Sequence, residues 1–172
     1  GLHYAYDFVG AYIVSKLMNT KSEIIYDRLK NFIFPKRRRE IKRIGSNIIV
    51  CDYAHHPSEI KALYRSLKEE YSENKIIAIY EPHTYSRTLK FQADYNEALA
   101  LFDEAYILDI FTSAREQYNS EIEKEIYRGF LFKRFKKELI TKTREMNNMV
   151  ICFIGAGRID KIYLEYIKKD SL

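Results

Sequence analysis

The side chains best suited to chemistry fall in three short blocks, each following an apolar run. Asp52-Tyr53-Ala54-His55-His56-Pro57-Ser58-Glu59 follows NIIVC, Glu81-Pro82-His83-Thr84-Tyr85-Ser86-Arg87-Thr88 follows IIAIY, and Phe111-Thr112-Ser113-Ala114-Arg115-Glu116 follows AYILDI. Three of the four histidines lie in the first two blocks. Arg87 or Arg115 can take a carboxylate through two parallel hydrogen bonds, and Asp52 or Glu116 can accept from an ammonium group or a sugar hydroxyl. Histidine adds a donor or acceptor near neutral pH. That set suits a free amino acid beside a nucleotide. A protein-held metal suits it less: adjacent histidines before a proline point in different directions, and neither HExxH nor a Cys/His ligand spacing occurs. For each histidine taken alone, capping a helix is an ordinary role.

These blocks need a frame to bring them together. From residue 57 onward, helical and strand-like patterns alternate: helix 57–71, strand 75–80, helix 86–102, strand 105–110, helix 121–133, strand 149–154, helix 158–168. Such alternation predicts an α/β fold, a Rossmann-like and mainly parallel sheet with helices on both faces. Ligands in such sheets sit beyond the carboxyl ends of the strands, where the three blocks fall. Gly155-Ala156-Gly157 follows the last strand and precedes a helix; this is either an anion-binding turn or simply a tight one. Ahead of the sheet, residues 4–18 and 22–32 read as two short helices, and two extended runs flank a turn at Gly45-Ser46. Pro35 stops the helical pattern and marks a boundary dividing residues 1–35 from 36–172.

Bulk properties narrow the class. The 172 residues carry a net charge of +5 with 47% hydrophobic content, and no stretch has the run of about 20 apolar residues that a membrane span needs. No secretion signal is recognisable at the start, so a cytoplasmic, membrane-free protein is expected. Lys36 to Arg43 holds six basic residues against one Glu. Without interleaved aromatics, this run reads as a partly solvated strand face, and no nucleic-acid partner is expected. Cys51 and Cys152 sit in apolar runs and read as buried hydrophobes.

The blocks DYAHHPSEIKA, EPHTYSRT, DIFTSARE and IGAGRI, in this order, resemble the carboxy-terminal domain of the Mur ligases, and within that family its alanine-adding branch. HYAYDFVGAYIV resembles the last helical part of the family's ATP-binding central domain, and the resemblance covers nearly the whole chain. It implies an ATP- and Mg2+-dependent ligase joining L-alanine to UDP-N-acetylmuramate through an acyl phosphate, in peptidoglycan precursor synthesis. It further implies ATP contacts at Arg38 and Asp52, nucleotide contacts at His3 and Asp7, and an amino-acid site of Tyr53, His55, His83 and Arg87, with Arg87 on the carboxylate. Glu116 matches a family acid and is placed with the substrate-binding group. Asp7, Cys51 and Arg158 depart from the family pattern. The phosphate-binding loop GxxxxGK[ST] does not occur in these residues. The chain is therefore expected to need the amino-terminal and central domains in cis and to be inactive alone. A murein-tripeptide recycling ligase and a stand-alone nucleotide-binding module are the competing expectations.

Overall fold

The computed structural model describes residues 2–112, 116–135 and 138–168. It resolves into two compact units, one ending at Lys36 and one beginning at Arg37. The first unit is a pair of helices, α1 (Leu2–Leu17) and α2 (Ser22–Lys30), reversed at Asn19, whose φ of 58° lies in the left-handed region that Asn tolerates. Phe8 packs against Phe32 and Phe34 with ring centroids 5.5 and 6.0 Å away, and Tyr12 meets Tyr26 at 5.9 Å. Tyr6, Val9, Ile13, Val14 and Leu17 remain exposed.

The second unit is a six-stranded sheet in the order β1-β2-β6-β3-β4-β5. Its strands are β1 (Glu40–Ile44), β2 (Asn47–Asp52), β3 (Lys75–Tyr80), β4 (Glu104–Ile107), β5 (Lys133–Arg134) and β6 (Met149–Ile154). Only β1 runs antiparallel, joined to β2 by the Gly45-Ser46 turn in which Gly45 has φ 56°. Helices α3 (Pro57–Glu70), α4 (Tyr85–Lys90), α5 (Gln92–Leu99), α6 (Ser120–Gly129), α7 (Glu138–Glu145) and α8 (Ile159–Lys168) complete the unit. Strand residues alternate between two cores, as the period of two requires. Val50, Ala78, Tyr80 and Cys152 face a core built with Ile60, Leu67, Tyr95 and Ile126, from α3, α5 and α6. Ile49, Cys51, Ile79 and Phe153 face the other, built with Ile159, Tyr163 and Tyr166 of α8. Each fully buried Ile or Phe contributes about 1.5–3 kcal/mol, so the doubly covered sheet is the dominant stabilising element. Both cysteines are buried, and burial pushes the Cys51 thiol up to about 12. Among the described residues no helix is long and apolar enough to cross a membrane.

The sheet brings the described residues of the three blocks to one edge. Asp52 is level with Ile154 on β6, and Ile154 is level with Tyr80 on β3, so three parallel strands end together.

Three elements differ from the pattern reading. The helix expected over 86–102 is two helices broken at Phe91. Leu89 and Phe91 both pack on the core, and residues two apart point about 200° apart in a continuous helix, so the chain must turn between them to bury both. The strand expected over 105–110 leaves the ladder after Ile107. Two short elements, β5 and α7, occupy the region that the pattern left as the end of one long helix and a connection.

Candidate functional site

Hydrogen bonds across the carboxyl edge hold its loops in fixed relation. The Gly155 amide donates to the Asp52 carbonyl (3.1 Å) and the Glu81 amide to the Ile154 carbonyl (2.9 Å); Phe111 and Pro82, and Thr84 and Phe111, are bonded likewise at 2.8 and 2.9 Å. Asp52 is buried, and its two carboxylate oxygens accept from the backbone amides of Ala54 (2.7 Å) and Arg39 (2.8 Å). It therefore ties the arginine-rich segment to the start of the DYAHHP loop. Arg37 and Arg39 take left-handed φ values of 65° and 50°, which coil this segment back over the sheet edge. From there Arg37 donates to the Gly155 carbonyl (2.9 Å) and Arg39 pairs with Glu70.

A row of planar groups runs along the edge. The Arg38 guanidinium lies 5.0 Å from the Tyr53 ring centre, Tyr53 meets His55 edge-on at 5.4 Å, and His55 lies 6.1 Å from His83. His83 in turn faces Phe111 at 5.3 Å. The His55 carbonyl accepts from the Tyr95 hydroxyl (2.8 Å), and Glu59 accepts from the His55 and His56 amides (2.9 and 3.1 Å). His56 does not join the row. It caps α3, with its ring nitrogen accepting from the Ser58 amide and Pro57 as the first helical residue, and it turns its ring to Phe91. The adjacent histidines thus separate into one that faces the edge and one that starts a helix.

His83 and Arg87 sit on either side of the start of α4. Burial, followed by the positive charge of Arg87 and by His55, holds the His83 imidazole below its usual pKa. Its Nδ1 is buried with no hydrogen-bond partner among the described residues, so a second ring proton would be poorly accommodated. Burial and these charges therefore favour the neutral ring. The Arg87 guanidinium is half-buried and has no ion-pair partner among the described residues. Glu116, which comes from the block after β4, accepts from the Tyr85 amide (2.7 Å), the Ser86 amide (3.2 Å) and the Ser86 hydroxyl (2.5 Å) at the first turn of α4. Burial works against its anion, but those bonds outweigh it and hold the carboxyl below the usual range.

The Gly155–Gly157 turn is filled by the chain itself. The buried Glu81 carboxylate accepts from the Ile159 amide (3.1 Å) at the start of α8, the position an external anion would take. A Cβ on Gly157 would lie 2.4 Å from Glu81 Oε2, so these glycines are required by the close approach of Glu81. Sequence reasoning passed over Glu81; its position at the end of β3, level with a glycine turn on β6, was the available signal. Burial raises its pKa against the opposing pull of the α8 amides and of Arg37 and Arg158. For an acid with a raised folded pKa, the stabilising form is the protonated one, and that stability is lost as pH rises through and above 4.5. Glu81→Gln keeps an acceptor oxygen and removes the titration. Its stability relative to wild type is expected to improve as pH rises from 4 to 7 in denaturant titrations; a pH-independent difference would show that Glu81 does not titrate in this range.

Arg38, Tyr53, His55, His83 and Arg87 thus meet at one edge, with Asp52 and Glu116 engaged by backbone amides beside them. Asp7 is exposed on α1 in the first unit, the side chain of His3 lies outside the described residues, and so does Arg115. Arg158 is exposed with its guanidinium 5.3 Å from the Phe111 ring centre.

Residues 37–157 match the family model described as Mur ligase, glutamate ligase domain. The UDP-N-acetylmuramate--L-alanine ligase of Hydrogenobaculum sp. (strain Y04AAS1) is 34% identical over 174 residues, covering 98% of this chain and 39% of that protein. The solved UDP-N-acetylmuramate-alanine ligase of Thermotoga maritima superposes with a TM-score of 0.75 at 22% identity, over 99% of this chain and 38% of its own. A murein peptide ligase from Psychrobacter arcticus 273-4 gives 0.69 at 18% identity, over 99% and 37%. At those identities the two structures speak to the fold. The chain spans about two-fifths of the length of these relatives.

Proposed function

The chain belongs to the Mur ligase family as its carboxy-terminal domain, and from that premise we propose that it supplies the amino-acid side of an ATP-dependent ligase joining L-alanine to UDP-N-acetylmuramate. The observation that carries the reading is the meeting, at one sheet edge, of Arg87, which has no acidic partner among the described residues, and His83, whose neutral imidazole is favoured. An α-amino acid presents a carboxylate and an amine within a few ångströms. Arg87 is assigned to the carboxylate, and His83 with His55 to the amino group, where a neutral imidazole accepts a hydrogen bond and leaves the amine free to attack. Identity of 34% across nearly the whole chain to an alanine-adding relative supports the choice of amino acid.

Residues 1–35 are assigned in this reading to the end of the ATP-binding central domain, and residues 36–172 to the carboxy-terminal domain. The exposed apolar face of α1 fits a helix that packs on further protein. For ATP, Arg38 is the fitting residue of the second unit, 5.0 Å from the Tyr53 ring centre and without an ion-pair partner among the described residues; nucleotide contacts at His3 and Asp7 are carried over from the family resemblance alone. Asp52 keeps its place as a nucleotide neighbour chiefly by fixing the loop that carries the arginines. ATP supplies activation of the sugar carboxylate as an acyl phosphate, and magnesium spreads its negative charge. Magnesium is assigned in this reading mainly to the central domain, as the family resemblance implies.

The test is phosphate release by the full-length protein that carries these residues, with ATP, UDP-N-acetylmuramate and one acceptor at a time. L-Alanine is expected to give a higher kcat/KM than glycine, L-serine or murein tripeptide. Preference for the tripeptide would move the protein to the recycling branch, and no release with any acceptor would overturn the ligase reading in favour of a nucleotide-binding module.

A further inference from the structure

We propose that Glu116 is a positioning residue, which clamps the first turn of α4 and thereby sets where Arg87 reaches; the consequence for the amino acid rests on the reading above. Helix α4 has only six residues, too few to hold itself, so its direction must come from tertiary contacts. Its own cap does not help: Thr84 makes no side-chain cap bond and holds φ 68°, an unusual value for a β-branched residue. The Thr84 amide is used instead to bind the Phe111 carbonyl. What satisfies the first-turn donors of α4 is the Glu116 carboxylate, with both oxygens engaged by Tyr85 and Ser86. Arg87 is the next residue. The bonds of Glu116 run to Tyr85 and Ser86, the two residues that precede Arg87.

A positioning role and a substrate contact predict different results. If Glu116 acts through α4, Glu116→Gln should speed hydrogen exchange at the Tyr85 and Ser86 amides. It should raise the KM for L-alanine about tenfold, a size in keeping with small misplacements of binding groups, and leave kcat and the KM for ATP within about twofold. Ser86→Ala, which removes one donor and leaves the carboxylate in place, should shift the same two readouts in the same direction by less. Both variants are measured in the full-length protein, with a thermal midpoint to check folding. Unchanged exchange, or a fall in kcat with KM unchanged, would overturn the proposal, as would a KM effect in Glu116→Gln with none in Ser86→Ala. Absence of turnover in the unmodified protein would sink the alanine-ligase reading instead. The exchange rates would then decide the clamp alone, faster exchange supporting it and unchanged exchange refuting it.

Discussion

Arg87→Ala is expected to lower kcat/KM for L-alanine about a hundredfold in the full-length ligase, mostly through KM, while the KM for ATP stays near its original value. The size follows from losing a two-bond contact between guanidinium and carboxylate. Hydrogen bonds to charged groups contribute about 1.5–3 kcal/mol each, and about 2.7 kcal/mol is a factor of one hundred. The folded state should lose little, because Arg87 has no ion-pair partner among the described residues and is half-buried. The thermal midpoint should therefore move by no more than a few degrees. His83 supplies an internal readout. Arg87 is one of the charges holding its imidazole below the usual range, so the variant should move the acidic limb of the pH profile upward. Arg87→Lys restores a charge but not a planar pair of donors, and it is expected to recover only part of the loss. A variant with unchanged KM and a lowered kcat would place Arg87 in the chemical step and remove it from carboxylate binding.

Much of this site could be read from residue order because a parallel sheet converts sequence position into place. Any block that follows a doubly buried strand must emerge at the carboxyl edge, and continuous apolar runs such as 76–80 and 150–154 can hardly be anything else. The places of Tyr53, His55, His83 and Arg87 are therefore legible in the sequence. What periodicity could not supply was the assignment of partners across the edge. Whether His55 or His56 would face the site depended on Pro57, which begins α3 and turns His56 into its cap. Glu116 reads as a free acid in sequence and is a helix clamp in space, because its donors lie 30 and 31 residues away. The Gly155–Gly157 turn left two readings open, an anion site or a tight connection, and the fold combines them by placing its own Glu81 carboxylate there. The break at Phe91 escaped for a related reason. A helical pattern is judged along one strip of residues, while Leu89 and Phe91 are both drawn to the core from opposite sides of such a helix.

Gly157→Ala is expected to cost about 3 kcal/mol of stability. An added Cβ would stand 2.4 Å from both Glu81 Oε2 and Phe111 Cγ, and 2.5 Å from Phe111 Cβ. Overpacking of this kind costs about 1–3 kcal/mol, and here either escape carries a further penalty. If the Glu81 carboxylate moves, the Ile159 amide at the start of α8 loses its acceptor. If Phe111 moves, it leaves the face of His83 and disturbs the paired bonds with Pro82 and Thr84 that fix the loop entering α4. The loss should appear as a fall of about 6–12 °C in thermal midpoint, taking about 2–4 °C per kcal/mol for a chain of this size. Combining Gly157→Ala with Phe111→Ala should cost less than the two losses added together, since the second change opens the space the first one needs. Gly10→Ala is the matched control. Its Cβ meets nothing within 4 Å and its place is inside α1, so the same methyl there should stabilise by up to about 1 kcal/mol through helix propensity. Equal effects of the two substitutions would mean that Glu81 and Phe111 do not crowd the turn, and the self-filled anion position at α8 would have to be abandoned.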